Sequence, residues 1–166
     1  MILTISGSSS LSSTNTDLLL ALAKKFQHIP IQHQHLILPL FSADNDQAPF
    51  PESVLAFRQA VAEADALIIS APEYIHNIPA ILKNALEWLT TSGELQAKRV
   101  LALTYTPHPP RGEKAMQSLL WSLQALEARV VGQLALYQTE LKVENGELIG
   151  EEEVLEMVRE AVGLLF

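Results

Sequence analysis

The chain has 166 residues, 11 basic against 19 acidic side chains and a net charge of −8; the length suits one domain with its own core, and the charge excludes a general nucleic-acid binder because no basic cluster overrides it. Cysteine is absent, which excludes thiol nucleophiles, thiolate zinc sites and disulfides. Eight acidic and two basic side chains fall between positions 140 and 160, so most of the negative charge belongs to one solvated hairpin and helix. No basic residue precedes the first apolar stretch, as a secretory signal would require, and no apolar run approaches a membrane span. A cytoplasmic protein with no membrane partner is the expectation.

Residues 2–6, Ile-Leu-Thr-Ile-Ser, read as a buried strand. A loop follows, Gly7-Ser8-Ser9-Ser10-Leu11-Ser12-Ser13-Thr14-Asn15, and then Leu18, Leu19, Leu22, Ala23 and Phe26 mark one face of a helix over 14–27. Strand, hydroxyl-rich loop and helix N-terminus together favour an anion, because the first amides of a helix lack partners and hydroxyls add neutral donors. The loop has one glycine and no lysine. That excludes the dinucleotide fingerprint, the triphosphate cradle and the hydrolase nucleophile elbow. A terminal monophosphate suits it. The plainer alternative is that Ser13 or Thr14 simply caps the helix.

Residues 31–38 predict a second strand, polar on both faces through Gln32, His33, Gln34 and His35, as at a sheet edge. His33 and His35 share a side, but no third metal ligand is visible nearby, so solvated edge histidines are the preferred reading. Asp44 and Asp46, in a loop over 39–51, lack the glycine and distal glutamate of a calcium loop and read as turn formers. Val54, Phe57, Val61 and Ala64 define a second helix. Residues 66–71 are a fully apolar third strand apart from Ser70. No aspartate stands at its end, which excludes a phosphorylated response regulator.

Pro72-Glu73-Tyr74-Ile75-His76-Asn77-Ile78-Pro79 follows at once. A proline at each end stiffens this loop. Its place after a buried strand is where open α/β sheets bind ligands, and one ring with little charge suits a flat heteroaromatic molecule. Tyr74 could flank such a ring, and Glu73 could position a substrate or pair with a second chain. Ile78, Ile81, Leu82, Ala85, Leu86 and Leu89 form the third helix stripe. Trp88 lies off that stripe and is expected at a subunit boundary, where its indole N–H can stay wet. Residues 99–104 predict a fourth strand, ahead of a loop Thr106-Pro107-His108-Pro109-Pro110-Arg111-Gly112. Arg111 or His108 could meet the phosphate of a pyridine nucleotide. A fourth helix (Met116, Leu119, Leu120, Leu123, Leu126), a fifth strand over 129–137, a hairpin over 142–149 turning at Asn145-Gly146, and a last helix complete the chain. Regular alternation of strand and helix gives a parallel sheet with helices on both faces.

These two loops carry a family resemblance. Gly7, Ser8, Ser13 and Asn15, with Pro72, Glu73, Tyr74, Pro79, Leu82, Lys83, Asn84, Ala85, Glu87 and Trp88, resemble the two motifs of the NADPH-dependent FMN reductases, relatives of quinone, chromate and azo-dye reductases. The resemblance spans nearly the whole chain. It implies one domain over 1–166 and a flavodoxin-like α/β/α sandwich whose five-stranded parallel sheet has the order 2-1-3-4-5. It also implies an enzyme that passes two electrons from NAD(P)H through FMN to a small-molecule acceptor such as a quinone or flavin. Ser8, Ser10, Ser13, Thr14 and Asn15 would hold the phosphate. Pro72, Glu73, Tyr74, Ile75 and His76 would border the isoalloxazine. A homodimer or homotetramer is implied, and no resident metal. Three positions depart from the family: Ser10 replaces an arginine, Ile75 an asparagine, and the 106–112 loop a glycine-rich one. They predict weaker flavin binding than the full motifs give, and they keep open an FMN electron carrier, or a binding module that has lost the flavin.

Overall fold

The computed structural model describes residues 1–10 and 12–166; Leu11 of the serine loop lies outside the described residues. Five strands, β1 (Ile2–Ser6), β2 (Ile31–Gln34), β3 (Ala66–Ala71), β4 (Arg99–Thr106) and β5 (Arg129–Tyr137), form one parallel sheet in the order β2-β1-β3-β4-β5. This is the expected topology. Helices α1 (Thr14–Lys25) and α5 (Glu152–Gly163) cover one face; α2 (Glu52–Glu63), α3 (Ala80–Glu87) and α4 (Glu113–Ala125) cover the other. A two-stranded hairpin, β6 (Leu141–Glu144) and β7 (Glu147–Gly150), packs beside α1. Its turn places Asn145 and Gly146 at φ 53° and 75°, as an Asn-Gly type I′ turn demands.

Strand pleating explains the two cores. Leu3, Ile5, Leu67, Ile69, Val100 and Ala102 point to the α2–α3–α4 side, where they meet Phe57, Leu82 and Leu119. Their neighbours Ile2, Ile68, Leu101 and Leu103 point to the opposite side, against Leu18, Leu22, Val158 and Val162. Central strands buried on both faces are nearly continuous apolar runs, broken here by the small buried hydroxyls of Thr4, Ser6, Ser70, Thr104 and Thr106.

Two strand ends differ from expectation. β2 stops at Gln34, not at residue 38, because its one neighbour runs out: Ile5 pairs with Gln34 and β1 ends at Ser6. The chain then leaves the sheet, burying Leu36 and exposing Ile37. β4 runs two residues past 104 because β5 continues beside it, pairing Thr106 with Tyr137.

Trp88 also departs from expectation. It is fully buried in its own chain, so the subunit-boundary reading is corrected. Its Nε1–H donates to the Pro39 carbonyl at 2.8 Å, which removes the cost of burying the indole. Asn84 donates to the same carbonyl and accepts the Phe41 N–H. Phe41 meets the indole edge-on at 5.2 Å. Arg58 donates to the Trp88 carbonyl and to the Asp46 carboxylate, which Thr91 also contacts. Asp46 therefore anchors the long 39–51 loop instead of only shaping a turn. Thr91 and Arg58 together hold its carboxyl below the ordinary aspartate value.

Candidate flavin site

The loops after β1, β3 and β4 meet at the carboxyl edge of the sheet, where they enclose a cleft of about 280 Å³. β1 and β3 sit side by side and their connections lead to opposite faces, so this edge is the topological switch point. Ser8, Ser10, Ser13, Thr14, Asn15, Pro72, Glu73 and Tyr74 line the cleft. Ile75 and His76 do not: they line an adjoining cleft that shares Glu73 and Arg111 with the first.

The serine-loop end of the cleft is built on α1. Gly7 leaves room for a close approach: a Cβ there would sit 2.9 Å from a Leu82 methyl and 3.3 Å from the Ser70 carbonyl, so a larger residue would push on both. Its N–H bonds that carbonyl at 2.8 Å, which draws the loop onto β3. Ser13 caps α1, its Oγ accepting the Thr16 N–H. The capping reading thus holds for Ser13, and the hydroxyl keeps its own proton to donate outward. Ser8 Oγ accepts the Ser10 N–H and likewise keeps a proton. Among the described residues no acceptor meets the amides of Thr14 and Asn15. The Asn15 side chain is not available to a ligand. It is buried, takes the Ser70 hydroxyl on Oδ1 and donates to the Tyr105 carbonyl. Only its main chain can serve the cleft.

The other wall is fixed by Glu73. Its Oε2 accepts the N–H groups of Gly112, Lys114 and Ala115 at 3.0–3.1 Å, so a side chain from the β3 loop caps α4. Burial pushes this carboxyl up, but the amides of Ala115, Gly112 and Lys114, with His76, outweigh it and hold it below the ordinary glutamate value. Glu73 is therefore a clamp between two loops, and its carboxylate is spent on the protein. Ser118 adds a bond from α4 to Asn77. Tyr74 and Asn77 exchange two backbone bonds across Ile75 and His76, which sit at φ 52° and 56°. That is a tight turn with two left-handed residues, a geometry asparagine and glycine favour and a β-branched residue resists. The family's asparagine at position 75 makes sense as a turn former. Here Ile75 takes the strain with its side chain 98% exposed.

The sequence offers Thr106 only as the first residue of the 106–112 loop, and it does not single out Tyr105 or Gln138 for the lining. Tyr105 lies on the end of β4 that the expected strand over 99–104 leaves out. Gln138 follows β5 directly and donates to Thr14 Oγ1; its only signal was its place at the same sheet edge. Pro107 and Arg111 also line the cleft, and among the described residues Arg111 is the one basic side chain to do so.

The residues fit FMN. Hydroxyls, and amides that meet no acceptor among the described residues, gather at the start of a 12-residue helix, matching a terminal phosphate. Pro72, Tyr74 and Pro107 offer flat apolar walls for a ring.

Comparison with known proteins agrees. The model of the family described as NADPH-dependent FMN reductase matches residues 1–140. A quinone reductase of Escherichia coli is 31% identical over 119 residues, covering 68% of this chain and 63% of that protein. A subunit of an NADH:(hydroxy)cinnamate reductase from Vibrio ruber is 31% identical over 121 residues, covering 71% and 59%. The match thus spans about six tenths of the length of these curated relatives. Among solved structures, the NAD(P)H:(acceptor) oxidoreductase FerB of Paracoccus denitrificans superposes with a TM-score of 0.79 at 21% identity, covering 99% of this chain and 94% of that one. That likeness establishes the flavodoxin-like fold. With the family match over residues 1–140 and both motif loops at one cleft, this chain belongs to the NADPH-dependent FMN reductase family.

Proposed function

We propose that this protein is an FMN-dependent NAD(P)H oxidoreductase, one domain over residues 1–166, acting on a quinone, a free flavin or a similar small acceptor. The observation that carries the reading is the donor set at the start of α1, opening into the same cleft as the Pro72–Tyr74 wall. The chemistry FMN supplies when bound is two-electron transfer between a nicotinamide and the acceptor. The hydroxyls of Ser8, Ser10 and Ser13 and the amides of Thr14 and Asn15 hold its phosphate. Pro72 and Tyr74, with the main chain of Glu73, border the ring; Ile75 and His76 flank it from the adjoining cleft. Glu73 keeps both loops in register so that no ligand contact has to pay for ordering them. Arg111, with Lys114 beside it in the adjoining cleft, suits the phosphates of the nucleotide reductant.

Tyr74, Ile75 and Trp121 expose large apolar surface, which supports a homodimer or homotetramer. No helix among the described residues is long and apolar enough to cross a membrane. We place the enzyme in the cytoplasm because its reductant is there.

Steady-state oxidation of NADPH with added FMN and a benzoquinone tests this reading. Turnover that requires both protein and FMN supports it. FMN binding without turnover would make the protein an electron carrier. No FMN binding would leave only a flavodoxin-like binding module.

A further inference from the structure

A third cleft of about 210 Å³ lies on the other side of the serine loop, lined by Ser6, Ser8, Ser9, Ser10, His33 and His35 among others. His33 and His35 are alternate residues at the end of β2 and beyond it, on one side of the chain. Their ring centroids are 5.0 Å apart and the rings stand at 89°.

Two observations bear on what this pair can do. The first is spacing. A zinc–imidazole bond of about 2.0–2.1 Å puts the metal roughly 3.2 Å from each ring centroid, and a tetrahedral angle then separates the two centroids by about 5.2 Å. The observed 5.0 Å matches that separation. The second is the partner of His33 Nδ1. The Thr4 hydroxyl lies 3.0 Å from that nitrogen and 3.3 Å from the Gln32 carbonyl. This contact occupies Nδ1 and leaves Nε2 as the ring nitrogen with no partner among the described residues. A polar partner on the far ring nitrogen is the usual support of a metal-binding histidine.

We propose that His33 Nε2 and a ring nitrogen of His35 bind a borderline divalent cation such as Zn²⁺. Water completes the coordination, since the described residues hold no group of three or more histidine or carboxylate ligands. The serine hydroxyls of the cleft are placed to hydrogen-bond that water. Two protein ligands give an exchangeable ion in the micromolar range and not a structural one. The site adjoins Ser8 and Ser10, which also line the proposed flavin cleft.

The test is calorimetric titration of the untagged, full-length protein with ZnCl₂ at neutral pH, beside His33→Gln, His35→Gln and His108→Gln. A second imidazole held at the right distance should raise affinity over one alone by roughly tenfold or more. The expected result is one Zn²⁺ per chain, at least tenfold weaker in His33→Gln and in His35→Gln, and unchanged in His108→Gln. Circular dichroism of each variant confirms that it is folded. The proposal is overturned if the wild type takes up no Zn²⁺ at about 1 mM, or if the His33 and His35 variants bind as the wild type does.

Discussion

Replacing Glu73 with glutamine probes the clamp between the two cleft loops. In the wild type one carboxylate oxygen takes three helix amides at 3.0–3.1 Å, with the side chain only 9% exposed. Bonds to a charged acceptor are worth about 1.5–3 kcal/mol each when nothing replaces them. Here water reaches the exposed Lys114 amide, and the glutamine oxygen still accepts. The loss therefore falls to the scale of a cap plus a charge at a helix N-terminus, about 2 kcal/mol. His76 adds little, since its ring is 84% exposed and 3.5 Å away. Urea titration should show a lower midpoint with an unchanged slope, and the melting temperature should fall by about 4–8 °C. The dependence on pH is diagnostic. The folded-state pKa of Glu73 is depressed, so its stabilisation is complete above the unfolded value of about 4.5 and is lost as pH falls through the folded value. The gap between wild type and Glu73→Gln should be constant from neutral pH down to about 4.5 and close below it. A variant as stable as the wild type at pH 7, or a gap that persists undiminished in acid, would refute the clamp.

Ser13→Asp separates capping from phosphate binding: aspartate caps as well as serine, so the urea midpoint should hold, while FMN affinity should drop about 10- to 100-fold through charge repulsion. Unchanged FMN affinity in titration would remove Ser13 from the site. Ile75→Asn should raise stability by about 0.5–1 kcal/mol in urea titration, because asparagine tolerates the left-handed turn and the lost side chain is exposed; a destabilised variant would show that Ile75 is held by a contact. Trp88→Phe should cost about 1–3 kcal/mol and leave the assembly state by light scattering unchanged, since the indole is interior and bonded to Pro39. A change in assembly with no loss of stability would restore the subunit-boundary reading.

The sheet order and helix faces were legible because buried central strands and amphipathic stripes leave strong periodic signals. The end of β2 was not, because it is set by where β1 stops pairing and not by residue type. Trp88 was misplaced for a similar reason: the carbonyl that satisfies its N–H belongs to Pro39, far back in the chain. The positions of the serine loop and Pro72–Tyr74 could be read from their order after strands. The roles of Glu73 and Asn15 could not, since their partners are amides at the start of α4, a β4 carbonyl and the Ser70 hydroxyl of β3, all remote in the chain. Nor does any rule of composition put isoleucine and histidine at positive φ, so the turn that carries Ile75 and His76 out of the main cleft was invisible.

Titration of the purified protein with FMN and, in parallel, with riboflavin, followed by flavin fluorescence and the visible spectrum, tests the central claim most directly. The account predicts one FMN per chain with a shifted spectrum, and riboflavin bound about 10- to 100-fold more weakly because it lacks the group that the Ser8–Asn15 donors hold. Equal affinity for the two, or no spectral change at about 100 µM FMN, a concentration that would saturate even a weak site, would contradict it.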